Sequence, residues 1–450
     1  MTKFELNKFS ATIVRLLLTI AVLAAMIVSG GARAAIDGIT GTTFNLTASE
    51  GYISIADGGS VYSWGYSTDG TMQLPGPTLI VSEGATVTVT LKNSLPKAAG
   101  NVSIIFSGHQ VTMTAGGELG LLAQEATSGG SVAYTFTAGQ PGTYQYHSGT
   151  RPDLQVEMGL YGALIVRPRV PADGCIASAY AHSATCFDRE YLFLLSEVDI
   201  QIHQAAEQQS SGSGPIEIGT GTYQSEYWLL NGRAAPDTMA EAGTSILKSQ
   251  PYNAMVRMHP GERILMRVAG AGREMHPFHF HGNHARVLAR DGRLLLSATN
   301  PNQLAGPNLF TIPSVPGGTV DAIFEWTGKD LGWDIYGTND FNAHDCIPDA
   351  DGYHNNTSDD NYREWCADHN REIPVVLPNL STLAFGGFYG GSPYLGVLGS
   401  LPPGEGGLNP NAGFAYMWHS HTEREMVNND IFPGGMMTML IIEAPWVDIP

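Results

Sequence analysis

The sequence predicts an all-β protein built as two β-sandwich domains. Glycine (54) and proline (26) are frequent among the 450 residues, and only 14% are charged. Short runs alternate polar and apolar residues between turn-forming Gly, Pro, Asn and Asp. No long stretch with helical period follows the N-terminal segment, so layered sheets are the expected architecture.

The elements follow in chain order. Lys3, Lys8 and Arg15 open the chain, Leu16 to Val28 is apolar apart from Thr19, and Ala32-Arg33-Ala34 offers a small-x-small cleavage site. The apolar run falls short of the roughly 20 residues that a bilayer span needs. Residues 1–34 therefore read as a secretory signal, giving a periplasmic or extracellular protein without a stable membrane span. The first domain is expected over residues 36–170. Within it Thr86-Val87-Thr88-Val89-Thr90-Leu91 and Ser131-Val132-Ala133-Tyr134-Thr135-Phe136 alternate with period two, as half-buried strands do. Its last strand stops at Pro168. Residues 171–188 form a linker with Cys175 and Cys186. The second domain, 189–450, closes on the apolar run Met437 to Ile442.

Gly142 to Ser148 and Phe414 to Ser420 both place an aromatic residue before a His-Ser pair, a weak repeat consistent with two copies of one domain. Gln204 to Gly221 reads as a polar surface loop. A polar, Gly-rich insertion at about 340–411 carries Cys346 and Cys366. Four cysteines in two local pairs, without Cys-x-x-Cys spacing, predict two disulfides in an exported chain. Asp349-Ala350-Asp351-Gly352 is an ordinary turn, since the residues after it do not complete a calcium loop.

Without residues 1–34 the chain has 19 basic and 41 acidic residues, a net charge of −22. That balance argues against nucleic acid as a partner. The chemistry-bearing residues are histidines. His276, His279, His281 and His284 fall within nine residues, and His419-Ser420-His421 repeats the His-x-His spacing. On a strand the two histidines of such a pair share a face. Paired imidazoles suit copper, zinc, iron or nickel. His182, His203, His259, His344, His354 and His369 are expected in exposed loops, and Trp418 in the core.

Several segments resemble the multicopper oxidases. Gly76-Pro77-Thr78-Leu79-Ile80-Val81, Gly142 to Ser148 and Gly159 to Val166 are similar to that family's first cupredoxin domain. Trp228 to Arg233, Pro260 to Arg263, His276 to Gly282, His419-Ser420-His421 and Gly434 to Met437 are similar to its later domain. The two-domain layout resembles the small members and the related copper nitrite reductases. The resemblance implies two cupredoxin-like Greek-key β-sandwich domains and copper as cofactor. It also implies an oxidoreductase acting on a small-molecule or metal-ion substrate, with dioxygen as a partner and a homotrimer as an assembly.

Carried over residue by residue, the resemblance implies metal binding at His147, His279, His281, His419 and His421, with His276, Glu425 and Asp430 as further candidates. It also shows departures. Gly149 stands where the partner of His147 belongs, and Ile105 and Ser107 stand in place of a histidine pair, with His109 nearby. Ser420 replaces the thiolate ligand of the blue (type 1) copper, and Glu425 and Asp430 replace its second histidine and its methionine. A serine hydroxyl cannot substitute for a soft thiolate. The expectation is a reduced histidine cluster, holding fewer than four copper ions and no blue centre. The rival is a non-catalytic copper-binding or structural protein of the same fold.

Overall fold

The computed structural model describes residues 36–329, 331–336, 344–372, 391–393 and 413–449. The segment read as a signal, 1–34, lies outside these residues, as does much of the 340–411 insertion. No helix among the described residues is long and apolar enough to cross a membrane.

Among the described residues, alternation along the chain becomes four large sheets, beside a two-stranded ribbon of Glu118–Leu119 and Gln124–Glu125. One carries, in order, Ile39–Thr40, Gly76–Ser82, Tyr161–Arg167, Gly142–His147 and Ile105–Phe106. A second carries Ser60–Ser67, Thr43–Ser54, Thr86–Asn93, Ser131–Thr137 and Val111–Gly116. Phe44, Leu46, Val87, Val89, Tyr134 and Phe136 point inward from the second sheet to meet Leu79, Tyr146 and Leu164 of the first. In the second half, Tyr227–Leu230, Arg189–Val198, Arg263–Gly270, Thr319–Glu325, Ala285–Arg290 and Arg293–Leu294 form a third sheet. Val256–Met258, Met437–Ile442, Phe414–Ser420, His276–Phe280 and Thr311–Ser314 form a fourth.

The first and third sheets are each buried on both faces. Along Tyr161–Arg167, Leu164 and Val166 face the first-half core, while Tyr161, Ala163 and Ile165 face the other way. Along Arg189–Val198, Phe193 and Leu195 face the second-half core, while Leu192, Leu194 and Val198 join Tyr161 and Ile165. This double burial explains why both segments read as continuous apolar runs rather than alternating ones. Ala35–Val447 accordingly forms one compact unit. Polar groups cross the same contact. Arg267, fully buried, lies 3.0 Å from Glu190 and 3.7 Å from Asp321 and donates to Thr143 Oγ1 at 3.1 Å.

Both cysteine pairs are disulfides, Cys175–Cys186 and Cys346–Cys366. The polar stretch expected as a loop from Gln204 begins instead inside a helix, Ile200–Ser210. Asp199 caps it by accepting from the Gln201 and Ile202 amides. Only Ile202, His203 and Ala206 of this helix are buried, too few apolar residues to reveal its period. His203, expected exposed, is fully buried, with ring nitrogens on the Tyr62 and Glu157 carbonyls. His259 and His354 are likewise buried. Their polar contacts offset the desolvation that made exposure the simpler expectation.

Candidate metal centre

Two antiparallel strands of the fourth sheet carry both His-x-His pairs. Their register sets Phe278 against Ser420, His279 against His419 and Phe280 against Trp418. The His281 amide reaches Met417 O, and the His421 amide reaches Pro277 O. Alternation then puts all four imidazoles on one face, running diagonally across the ladder. Phe278, Phe280 and Trp418 project from the opposite face into the core with Phe193 and Phe324. Trp418 is therefore a packing residue, as expected, and it donates to His281 O at 3.0 Å. The apolar partners in His-Pro-Phe-His-Phe-His anchor the strand, and this anchoring fixes the histidines.

The ligand atoms of His279, His281 and His419 all lie within 4.8 Å of one another. His281 Nε2 and His419 Nε2 are 3.4 Å apart. The His421 ring adjoins at 4.9 Å from His279 and 5.6 Å from His419, and it is exposed beside Glu423. Outer partners hold the rings. His279 Nδ1 shares a 2.8 Å hydrogen bond with Thr311 Oγ1, and His419 Nδ1 donates to Ser420 O at 2.7 Å. Both contacts engage Nδ1 and leave Nε2 to face a metal. Burial, then the neighbouring imidazoles, lowers His279 to about 4; burial lowers His419 as well. Both rings are thus neutral near pH 7, with lone pairs available, and an all-imidazole donor set fits copper.

The remaining predicted residues lie elsewhere. His147 ends the strand Gly142–His147, its Nδ1 donating to Ser148 O at 3.0 Å, and it is not part of the trio. Its ladder partner is Ile105. A Cβ at Gly149 would sit 2.6 Å from Ile105 Cδ1. The two positions that depart from the family pattern therefore pack on each other. His109, the possible substitute, lies between the Phe136 and Tyr144 rings.

His276 and Glu425 form a different structure from the ligand set anticipated for them. His276 is fully buried between two carboxylates, with Nδ1 2.9 Å from Glu425 Oε2 and Nε2 2.8 Å from Glu197 Oε2. Ser420 Oγ donates to the same Glu425 oxygen. Burial alone would lower His276, but the hydrogen bonds and charges of Glu197 and Glu425 outweigh it and hold the ring at about 9. Both nitrogens of this imidazolium are occupied by carboxylates. Glu197 also accepts the Glu274 amide at 3.0 Å and the Tyr223 hydroxyl at 3.2 Å. Asp430 is exposed in a turn where it and Asn429 are left-handed, with Glu226 near it, and it is not part of the histidine trio. Glu197 and Thr311 were not legible as site residues, because only strand register brings them there.

The multicopper oxidase family profile matches residues 49–171. The chain is 26% identical to copper resistance protein A of Escherichia coli over 311 residues, 64% of this chain and 48% of the relative. It thus spans about half that protein's length. It is 29% identical to the copper-containing nitrite reductase of Alcaligenes xylosoxydans xylosoxydans over 263 residues, 55% of this chain and 68% of the reductase. The blue copper oxidase of Nitrosomonas europaea superposes with a TM-score of 0.52 at 18% identity, over 90% of this chain and 85% of that one. From fold and relatives together, the chain has the cupredoxin fold, carries a multicopper oxidase domain over residues 49–171, and is similar to copper resistance proteins and copper nitrite reductases.

Proposed function

We propose that the protein is an exported, copper-dependent oxidoreductase that works at a reduced histidine cluster without a blue copper centre. The observation that carries this reading is the convergence of His279, His281 and His419 on one strand face. Those three residues, with His421 at the rim, are the proposed copper ligands. Copper bound there supplies one-electron chemistry toward dioxygen or another small oxidant. The chain's own residues do the rest. Thr311 and the Ser420 carbonyl orient two of the rings, and the aromatic face behind them excludes water. Phe310, exposed and edge-on to His279 at 5.8 Å, borders the approach. Small reductants or metal ions are the proposed substrates, because no cysteine thiolate is available for an electron-entry copper. All four cysteines are in disulfides, which leaves no thiolate for a blue centre.

His147 belongs to this proposal only across a contact with a second copy, and a homotrimer is proposed as that assembly. Metal analysis after copper loading tests the core of the reading. We expect at least about one copper per chain, loss of most of it in His279→Ala/His281→Ala/His419→Ala, and no intense visible thiolate-to-copper band. Uptake below that level sinks the proposal.

One observation favours a second reading, a copper-binding protein without catalysis. His276, Ser420 and Glu425, which the resemblance implies are electron-entry positions, are hydrogen-bonded together with Glu197. Copper-loaded protein that consumes oxygen with phenolic or metal-ion reductants no faster than the metal-free protein would decide for it.

A further inference from the structure

The insertion contains a second group of ligating side chains, separate from the strand-borne cluster. His344, Glu364 and His369 offer atoms within 4.8 Å of one another. The Cys346–Cys366 disulfide closes the loop between them, each cysteine two residues from a member of the group. His344 Nε2 is 3.0 Å from Glu364 Oε2, and His369 Nε2 is 3.2 Å from Glu364 Oε1. The two imidazoles therefore turn the same nitrogen toward the two oxygens of one carboxylate. Asn361 Nδ2 fixes that carboxylate from behind, donating to Oε2 at 2.8 Å and to Asp345 O at 3.0 Å.

The surroundings favour an occupant. The three side chains are only 11%, 7% and 15% exposed, with the Tyr336 ring 4.8 Å from His344. His369 Nε2 is buried and makes no hydrogen bond of ordinary geometry. A cavity of about 20 Å³ lies against Glu364, Asp368 and His369, walled by Trp326, Trp333 and Trp365. That is room for about one water molecule. The two ring centroids are 4.5 Å apart, so both imidazoles can face one ion beside the carboxylate.

We propose that His344, Glu364 and His369 form a second metal site, for a divalent cation of the zinc type. Two imidazoles and a carboxylate with a fourth position left to water is a donor set that zinc accepts. Neighbouring groups do not compete for the ion. Cys346 and Cys366 are bonded to each other, and His354 is held by the Ile347 amide and by Asp359 at 2.9 Å each. The ion would pin the inner part of the insertion beside the disulfide.

The test uses the full chain carrying His279→Ala/His281→Ala/His419→Ala, so that the strand-borne cluster cannot bind. Zinc(II) is titrated into the metal-free variant by calorimetry, and its folding is checked by circular dichroism. We expect about one zinc per chain, with a zinc-edge X-ray absorption spectrum of nitrogen and oxygen ligands. Adding His344→Ala/His369→Ala, or Glu364→Gln alone, should weaken binding by roughly tenfold or more. Glu364→Gln keeps the side-chain shape and guards against a variant that does not fold. No zinc uptake by the folded triple variant overturns the proposal, as does uptake that neither further change weakens.

Discussion

At Ser420 a hydroxyl replaces a metal-binding thiolate, and its neighbours have adjusted to it. Its Oγ donates to Glu425, and both join the buried pairing of His276 with Glu197. Removing one partner of such a buried network leaves an uncompensated charge, so Glu425→Ala should destabilise the protein by about 3 kcal/mol in urea denaturation. The same residues make a pH prediction. His276 is held at about 9 in the fold, above the ordinary value of about 6.5. A raised histidine stabilises fully below its unfolded pKa, and that contribution is lost as pH rises through the folded one. The stability gap between the wild type and His276→Gln should therefore be widest near pH 6 and shrink between about pH 6.5 and 9. A gap that stays constant from pH 6 to 10 would contradict the charged pairing.

Strand elements explain which parts of the site could be read in advance. The His-x-His pairs were legible because period two fixes which side chains share a face, whatever the partner strand. Their convergence needed the register of His276–Phe280 on Phe414–Ser420, which one sequence does not encode locally. Glu197 and Thr311 stayed hidden for that reason: each is an unremarkable polar residue until a distant strand is laid beside it. The helix Ile200–Ser210 was hidden differently, since its buried face is small and its exposed face is Gln-rich. The element around His147 carries its own prediction. Gly149→Ala should cost about 1–3 kcal/mol by overpacking against Ile105. Ile105→Ala should relieve part of that cost, so the two changes should be non-additive in a double-mutant cycle. Independent, additive effects would show that the contact is not the cause.

For the whole molecule, the apolar layer shared by Tyr161, Ile165, Leu192 and Leu194 makes the two halves one folding unit. Arg267 lies in the same contact with Glu190 and Asp321. Arg267→Met should therefore shift a single cooperative thermal transition instead of splitting it, while Arg267→Ala, which also leaves a cavity, should lower stability by about 3–5 kcal/mol. Two resolved transitions in calorimetry would mean that the halves unfold separately. The weak repeat in the sequence is consistent with two copies of one domain, but the doubly buried sheets tie the copies together. A designer who excises residues 36–170 as a carrier, or grafts 189–450 onto another protein, would leave a greasy sheet face without its cover. Neither piece is portable. The workable place to cut or fuse this protein is the mostly exposed linker at residues 169–174.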